Sequence, residues 1–189
     1  MNKKLYLIAG ANGSGKTTLA RELLANEDIS FLNADEYAKQ LNPEDFSKVK
    51  ISAGKKLFEE LDRCAAHGLS FAIETTLAGS LYVKVIKNLQ KKGYKVHLIY
   101  VFLDSPQMCI ARIKGRVKQG GHYIPDTDVH RRYARSLKNF WTCYKDIVDS
   151  WGLYYNGSGQ SVFVASGTKD GIDILNPSLY DIFCKGLDL

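Results

Sequence analysis

Apolar residues fall along this chain in short runs separated by longer amphipathic stretches. Runs at 5–9, 29–32, 71–73, 96–103 and 162–165 read as strands. Between the first four, apolar positions recur at helical spacing, and Gly68 and Gly93 close two of those stretches. Strand and helix alternating in this way predict an α/β fold with a mostly parallel central sheet and helices on both faces. Residues 151–165 depart from the alternation. There, residues 151–155 and 161–165 flank Asn156-Gly157-Ser158-Gly159-Gln160, which predicts a short C-terminal strand pair joined by a turn. Upstream, Val129, Tyr133, Leu137, Phe140, Tyr144 and Val148 make an apolar stripe suited to the core of an aromatic-rich helix reaching to about 151.

Length and composition narrow this picture only a little. With 189 residues and 45% hydrophobic content, the chain can bury one core, and a single domain over residues 1–189 is expected. No apolar run approaches membrane-spanning length, and Met1-Asn2-Lys3-Lys4 leads into a strand, not into a signal-peptide core. A cytoplasmic protein without membrane contact is the expectation. Cys64, Cys109, Cys143 and Cys184 are far apart and form no C-x-x-C pair, which suits reduced thiols and gives a cysteine metal site little support. A net charge of +6 fits nucleic acid, but an anionic small molecule bound beside a nucleotide needs a basic pocket just as much.

The chemistry starts directly after the first strand, at Gly10-Ala11-Asn12-Gly13-Ser14-Gly15-Lys16-Thr17. Gly10, Gly13 and Gly15 permit positive φ and bring successive N–H groups close to the β- and γ-phosphates of a nucleoside triphosphate. Lys16 adds a mobile positive charge, Thr17 offers a hydroxyl for Mg²⁺, and Thr18 continues into a helix that carries Leu19, Ala20, Leu23 and Leu24. Strand, glycine loop and helix together predict a three-layer P-loop NTPase. Gly157-Ser158-Gly159-Gln160 has the look of the signature loop of ABC transporter ATPases, but a turn between aromatic strands accounts for it. No Asn-Lys-x-Asp segment is present to read guanine, which disfavours a regulatory GTPase.

Ligands of open parallel sheets bind beyond the carboxyl ends of the strands, which singles out Asp35, Glu74 and Asp104. Phosphoryl transfer needs a carboxylate to orient or deprotonate the attacking hydroxyl and cations to spread charge off the γ-phosphate. Asp35 is the candidate base, with capping of the helix that begins at Glu36 as its other reading. Glu74, with Thr75 and Thr76, is placed to hold substrate hydroxyls or a metal-bound water. Asp104 precedes Ser105-Pro106, a helix start, so a capping role competes with a chemical one. Arg112 and Arg116 share one face of a helix whose other face holds Ile110, Ile113 and Val117, and Gly120-Gly121-His122 then interrupts it. A flexible segment flanked by arginines, about 112–132, suits a lid over a triphosphate. Arg131, Arg132, Arg135 and Lys138 fall off the apolar stripe of the next helix and are candidates for a phosphate site. His122, alone among glycines, reads as a turn residue with no metal role.

The segments GANGSGKTT, LNADEYAKQLNP, AIETTLAGS, GGHYIPDTDVHRRYARSLKNFW and SWGLYYNGSGQSVFVASG together resemble the zeta-toxin family of P-loop kinases over nearly the whole chain. The characterised toxins of that family phosphorylate the 3′-hydroxyl of the amino sugar in UDP-N-acetylglucosamine with ATP and Mg²⁺. The resemblance implies that residues 10–18 and Lys16 handle ATP, Thr17 handles Mg²⁺, Asp35 is the general base and Glu74 helps bind substrate. It also implies that Arg116, with Arg131 or Arg132, meets the transferring phosphate. Arg112-Ile113-Lys114-Gly115-Arg116 is similar to the lid opening of nucleoside monophosphate kinases, whose first arginine lies near the adenine. A small helical antitoxin is the partner the family implies. Polynucleotide 5′-hydroxyl phosphorylation, or ATP-driven work on nucleic acid, is the alternative suggested by the positive charge and the aromatic helix.

Overall fold

A computed structural model describes residues 3–27, 29–42, 45–121 and 123–187; His122 lies outside them. Seven strands, β1 (Lys4–Ala9), β2 (Ser30–Leu32), β3 (Phe71–Thr75), β4 (Lys95–Phe102), β5 (Ser150–Tyr155), β6 (Val162–Thr168) and β7 (Gly171–Ile174), form one sheet in the order β2-β3-β1-β4-β5-β6-β7. The strands from β2 to β5 pair in parallel, and β6 and β7 continue the sheet antiparallel. The helices are α1 (Lys16–Leu23), α2 (Ala34–Leu41), α3 (Lys50–Ala66), α4 (Leu81–Lys91), α5 (Pro106–Val117), α6 (Asp126–Asn139) and α7 (Pro177–Lys185).

Side-chain alternation along the central strands splits the interior into two unequal parts. Leu5, Leu7 and Ala9 of β1 join Phe71, Ile73, Val96, Leu98 and Tyr100 in a core covered by residues of α3, α4, α5, α6 and α7. Ile8 and Ala72 turn the other way, against Ala20 of α1. Both faces carry helix, as expected, but the second face carries much less of it.

The stripe from Val129 to Val148 is buried, although not as one helix. Helix α6 ends at Asn139, a wider π-turn covers Phe140–Tyr144, and β5 begins at Ser150, so the helix expected to reach 151 stops short. The wider turn places Phe140 in the middle of the aromatic core. It stacks on Tyr100 at 4.4 Å between ring centroids and meets Trp151 and Phe183 edge-on at 5.6 and 5.7 Å. Because Phe140 and Tyr144 are fully buried, neither of these two rings is available to stack on bases.

The expected C-terminal strand pair is present, with β5 and β6 running antiparallel, but it belongs to the main sheet and does not stand apart from it. Residues 150–155 are the fifth parallel strand, paired with β4 from His97–Ser150 to Phe102–Tyr155, and β6 makes its hairpin onward with β7 as well as pairing with β5. Strand β7 is exposed throughout, its Ile172-Asp173-Ile174 alternation is too short to stand out, and its existence depends on the pairing edge that β6 offers. Helix α7 follows, starting at Pro177 with Asn176 as its cap and burying Phe183. The cysteines form no disulfide, and no helix among the described residues is long and apolar enough to cross a membrane.

Asp149 fixes the entry into β5. Its carboxylate accepts from the Val96 N–H at 3.0 Å, from Gln90 Nε2 at 3.1 Å and from Lys95 Nζ at 2.8 Å. Burial works against its ionisation, but the hydrogen bonds from Lys95, the Val96 N–H and Gln90 outweigh it and hold the carboxyl down at about 2. The depressed value means that the contribution to stability is present above the ordinary carboxyl range and is lost as pH falls toward 2. Urea unfolding should therefore show Asp149→Asn destabilised by on the order of 1–2 kcal/mol at pH 7. The two proteins should converge in stability as the pH is lowered through the interval from 3.8 to about 2.

Candidate active site

Parallel register decides where the glycine loop leaves the sheet. Ala9, the last residue of β1, pairs with Thr75 on one side and Tyr100 on the other, so residues 10–15 emerge between the carboxyl ends of two neighbouring strands. The loop backbone then runs too close to its surroundings for side chains. A Cβ on Gly10 (φ 142°) would overlap the Val101 carbonyl, and one on Gly15 (φ 97°) would overlap the side-chain amide of Asn156. Ser14 Oγ is buried with no hydrogen-bond partner among the described residues, an orphan that a phosphate oxygen would satisfy. Lys16 Nζ lies across the loop, donating to the Ala11 carbonyl at 2.9 Å. Beneath the loop, burial pushes the Cys109 thiol up to about 11, so it stays protonated and unreactive at neutral pH.

Glu74 gathers the opposite wall. It pairs in register with Ile8, and its Oε2 accepts from the Thr17 hydroxyl at 2.7 Å and from Asn33 Nδ2 at 2.9 Å. Its Oε1 stands 3.7 Å from Lys16 Nζ, and both side chains are nearly buried. Asn33 works from both ends of its amide: Nδ2 reaches Glu74, and Oδ1 accepts from the N–H groups of Asp35 and Glu36 to cap α2. The helix cap is therefore Asn33, where Asp35 had been the alternative expected from the sequence. Asp35 sits in the first turn with its side chain free to face the cavity that it lines. Asn33 escaped notice as a site residue, although an Asn directly before an amphipathic run is a recognisable cap signal.

The arginines separate. Arg112 Nη2 donates to the Asn156 carbonyl, and both Arg112 and Arg116 line the cavity. Arg132 Nη1 reaches Asn12 Oδ1 of the loop at 3.2 Å, whereas Arg131 turns to the surface and pairs with Asp128 at 2.7 Å. Arg135 and Lys138 are exposed. Of the adjacent pair, it is thus Arg132 that touches the loop, because Arg131 lies one helical step farther round α6. Thr75 and Thr76 do not line the cavity: each hydroxyl accepts a backbone N–H two residues on, from Leu77 and Ala78. Asp104 accepts from the Tyr155 hydroxyl at 2.8 Å, and Ser105 caps α5.

Loop, carboxylates and arginines bound one cavity of about 610 Å³, a volume suited to a nucleotide with part of an acceptor. It continues past Asp35 to Lys39 of α2 and Lys50 of α3, residues the sequence did not single out. The sequence profile of the zeta toxin family matches residues 1–167. The chain belongs to the zeta toxin family. An uncharacterized protein of Haemophilus influenzae is 34% identical over 133 residues, 70% of this chain and 94% of that protein. Among solved structures, a chain of the AvrRxo1-ORF1:-ORF2 complex with ATP is similar over 95% of this zeta-family chain (TM-score 0.75, 15% identity). This chain spans 63% of that one's length. The PezAT chromosomal toxin–antitoxin system of Streptococcus pneumoniae provides a second match, covering 100% of this chain and 85% of that one (TM-score 0.67, 16% identity). The fold is that of the P-loop kinases.

The residues fit a nucleoside triphosphate and a divalent cation. The glycine cradle, the unsatisfied Ser14 hydroxyl and Lys16 suit a polyphosphate, and the neighbouring oxygens of Thr17 and Glu74 suit a hard cation such as Mg²⁺. Since Asn33 both caps α2 and supports Glu74, Asn33→Ala should lower stability in urea unfolding by about 1–2 kcal/mol. Asn33→Asp, which retains the cap but sets a second carboxylate against Glu74, should lose stability as well.

Proposed function

We infer that the protein is an ATP-dependent kinase that transfers the γ-phosphate to a hydroxyl of a small molecule, with UDP-N-acetylglucosamine or a related nucleotide sugar as acceptor. The observation that carries this reading is the single cavity in which Lys16 and Thr17, the carboxylates of Asp35 and Glu74, and the guanidinium groups of Arg112 and Arg116 meet. An ATPase needs only the first of these sets. A kinase needs a carboxylate at the acceptor side and cations around the phosphate in flight.

In this reading residues 10–18 bind the triphosphate through backbone N–H groups and the orphaned Ser14 hydroxyl. Thr17 would hold Mg²⁺ with Glu74 beside it, and the ion would supply charge neutralisation for the triphosphate. Asp35, held in the first turn of α2 by the Asn33 cap, accepts the proton of the acceptor hydroxyl. Lys16, Arg116 and Arg132 stabilise charge on the transferring group, and Arg112 lies toward the adenine. Arg131 has no part in this arrangement. Lys39 and Lys50 lie on the acceptor side of Asp35, where an anionic acceptor would meet them. The PezAT toxin–antitoxin likeness supports an antitoxin-like protein partner, and a cytoplasmic location, where ATP is at hand, accords with the activity.

Incubation with γ-labelled ATP and a metabolite extract, with 5′-hydroxyl oligonucleotides in a parallel reaction, tests both reaction class and acceptor. Label in a nucleotide sugar is expected; label in the oligonucleotide alone would replace this reading by polynucleotide phosphorylation. Asp35→Asn should lower transfer by about 10²- to 10⁴-fold while ATP still binds. Arg132→Ala should lower kcat clearly and Arg131→Ala by less than about twofold; equal losses in steady-state kinetics would contradict the assignment of Arg132.

A further inference from the structure

Asn156, the residue that follows β5, has no part in the chemistry described so far, yet it joins three pieces of the site. Its backbone N–H donates to the Phe102 carbonyl at 3.1 Å, carrying the β4–β5 pairing one residue further. Its side-chain Nδ2 donates to the Ser14 carbonyl at 2.8 Å, across 142 positions of sequence. Its own carbonyl accepts from Arg112. The residue is 8% exposed and lines the same cavity as Lys16 and Arg112.

A planar trans peptide points its carbonyl and its N–H in opposite directions. Anchoring the Ser14 carbonyl on Asn156 therefore turns the Gly15 N–H away from Asn156, and that N–H donates to no group among the described residues. Gly15 lines the cavity, and only glycine leaves room for the Asn156 amide. We propose that Asn156 is a positioning residue of the nucleotide site: its amide sets the Ser14–Gly15 peptide so that the Gly15 N–H faces the phosphates, and its carbonyl ties that setting to Arg112. The inference rests on the ATP-site reading above and is independent of the acceptor.

Asn156→Asp keeps the volume but places a carboxylate oxygen against the Ser14 carbonyl, and Asn156→Ala removes the anchor altogether. Calorimetric titration with MgATP, well below each variant's thermal midpoint and without acceptor, should show affinity reduced by about 10- to 100-fold in Asn156→Asp and less in Asn156→Ala. A purely structural role would lower the midpoint and leave affinity unchanged, and that result would overturn the inference. A wild-type protein that binds no MgATP would overturn the nucleotide site and the inference with it, whereas failure to phosphorylate any acceptor would bear on neither. If both variants fail to fold, ¹⁵N-labelled wild type decides. The Gly15 amide resonance should move on saturation with MgATP while the Asn156 side-chain amide stays protected from solvent exchange. A Gly15 resonance unmoved by bound MgATP, or an Asn156 amide that exchanges freely, would overturn the assignment.

Discussion

Backbone contact around residues 10–15 is the constraint on which the rest of this structure depends. Gly10 lies on the Val101 carbonyl, Gly13 lies within 2.6 Å of the Cys109 carbonyl measured from where its Cβ would be, and Gly15 lies on the Asn156 amide. These partners come from β4, α5 and the end of β5, so the cradle closes only if β1 has β4 beside it and β5 beyond. The crossover order β3-β1-β4-β5 supplies that neighbourhood, and a sheet assembled in sequence order would not. Contacts of this kind tolerate no added atom, because interiors packed at crystalline density have nowhere to move one.

Charge is organised around the same strand ends. Register sets Glu74 beside Ile8, and there it takes hydrogen bonds from Thr17 and Asn33 and the nearby charge of Lys16. A nearly buried carboxylate is costly to leave unpaired, and this one has three partners on two separate segments, Lys16 and Thr17 at the start of α1 and Asn33 before α2. The same Asn33 amide that satisfies Glu74 also caps α2 and so fixes the turn that bears Asp35. Loop, carboxylate wall and candidate base are therefore mechanically linked. Displacing one of them would disturb the others through named hydrogen bonds.

Much of the architecture was legible because it is written in local patterns. The parallel strands, the glycine loop opening a helix, and the buried stripe from Val129 to Val148 each rest on periodicity or on a motif read within a few residues. The features that escaped have local signals that are short or easily read otherwise, or none at all. Strand β7 is exposed along its whole length, the π-turn at Phe140 answers to the aromatic core around Tyr100 and Trp151, and Thr75 and Thr76 are occupied by turns of their own. The choice between Arg131 and Arg132 belongs to the same class, since it depends on the rotation of α6 relative to Asn12, 120 positions earlier.

The chain's sequence alone determined that a phosphate-binding loop follows the first strand, that the sheet is mostly parallel, and that Asp35 and Glu74 lie at or just beyond the carboxyl ends of two other strands. Those features depend on residues close together in the chain, where spacing and backbone preference act directly. Only the tertiary structure decided that Asn33 reaches across to Glu74, that Arg132 reaches the loop while Arg131 faces solvent, and that Asn156 holds the Ser14 carbonyl. Each of these is a hydrogen bond or ion pair whose partners are brought together by packing, and packing has no period along the sequence.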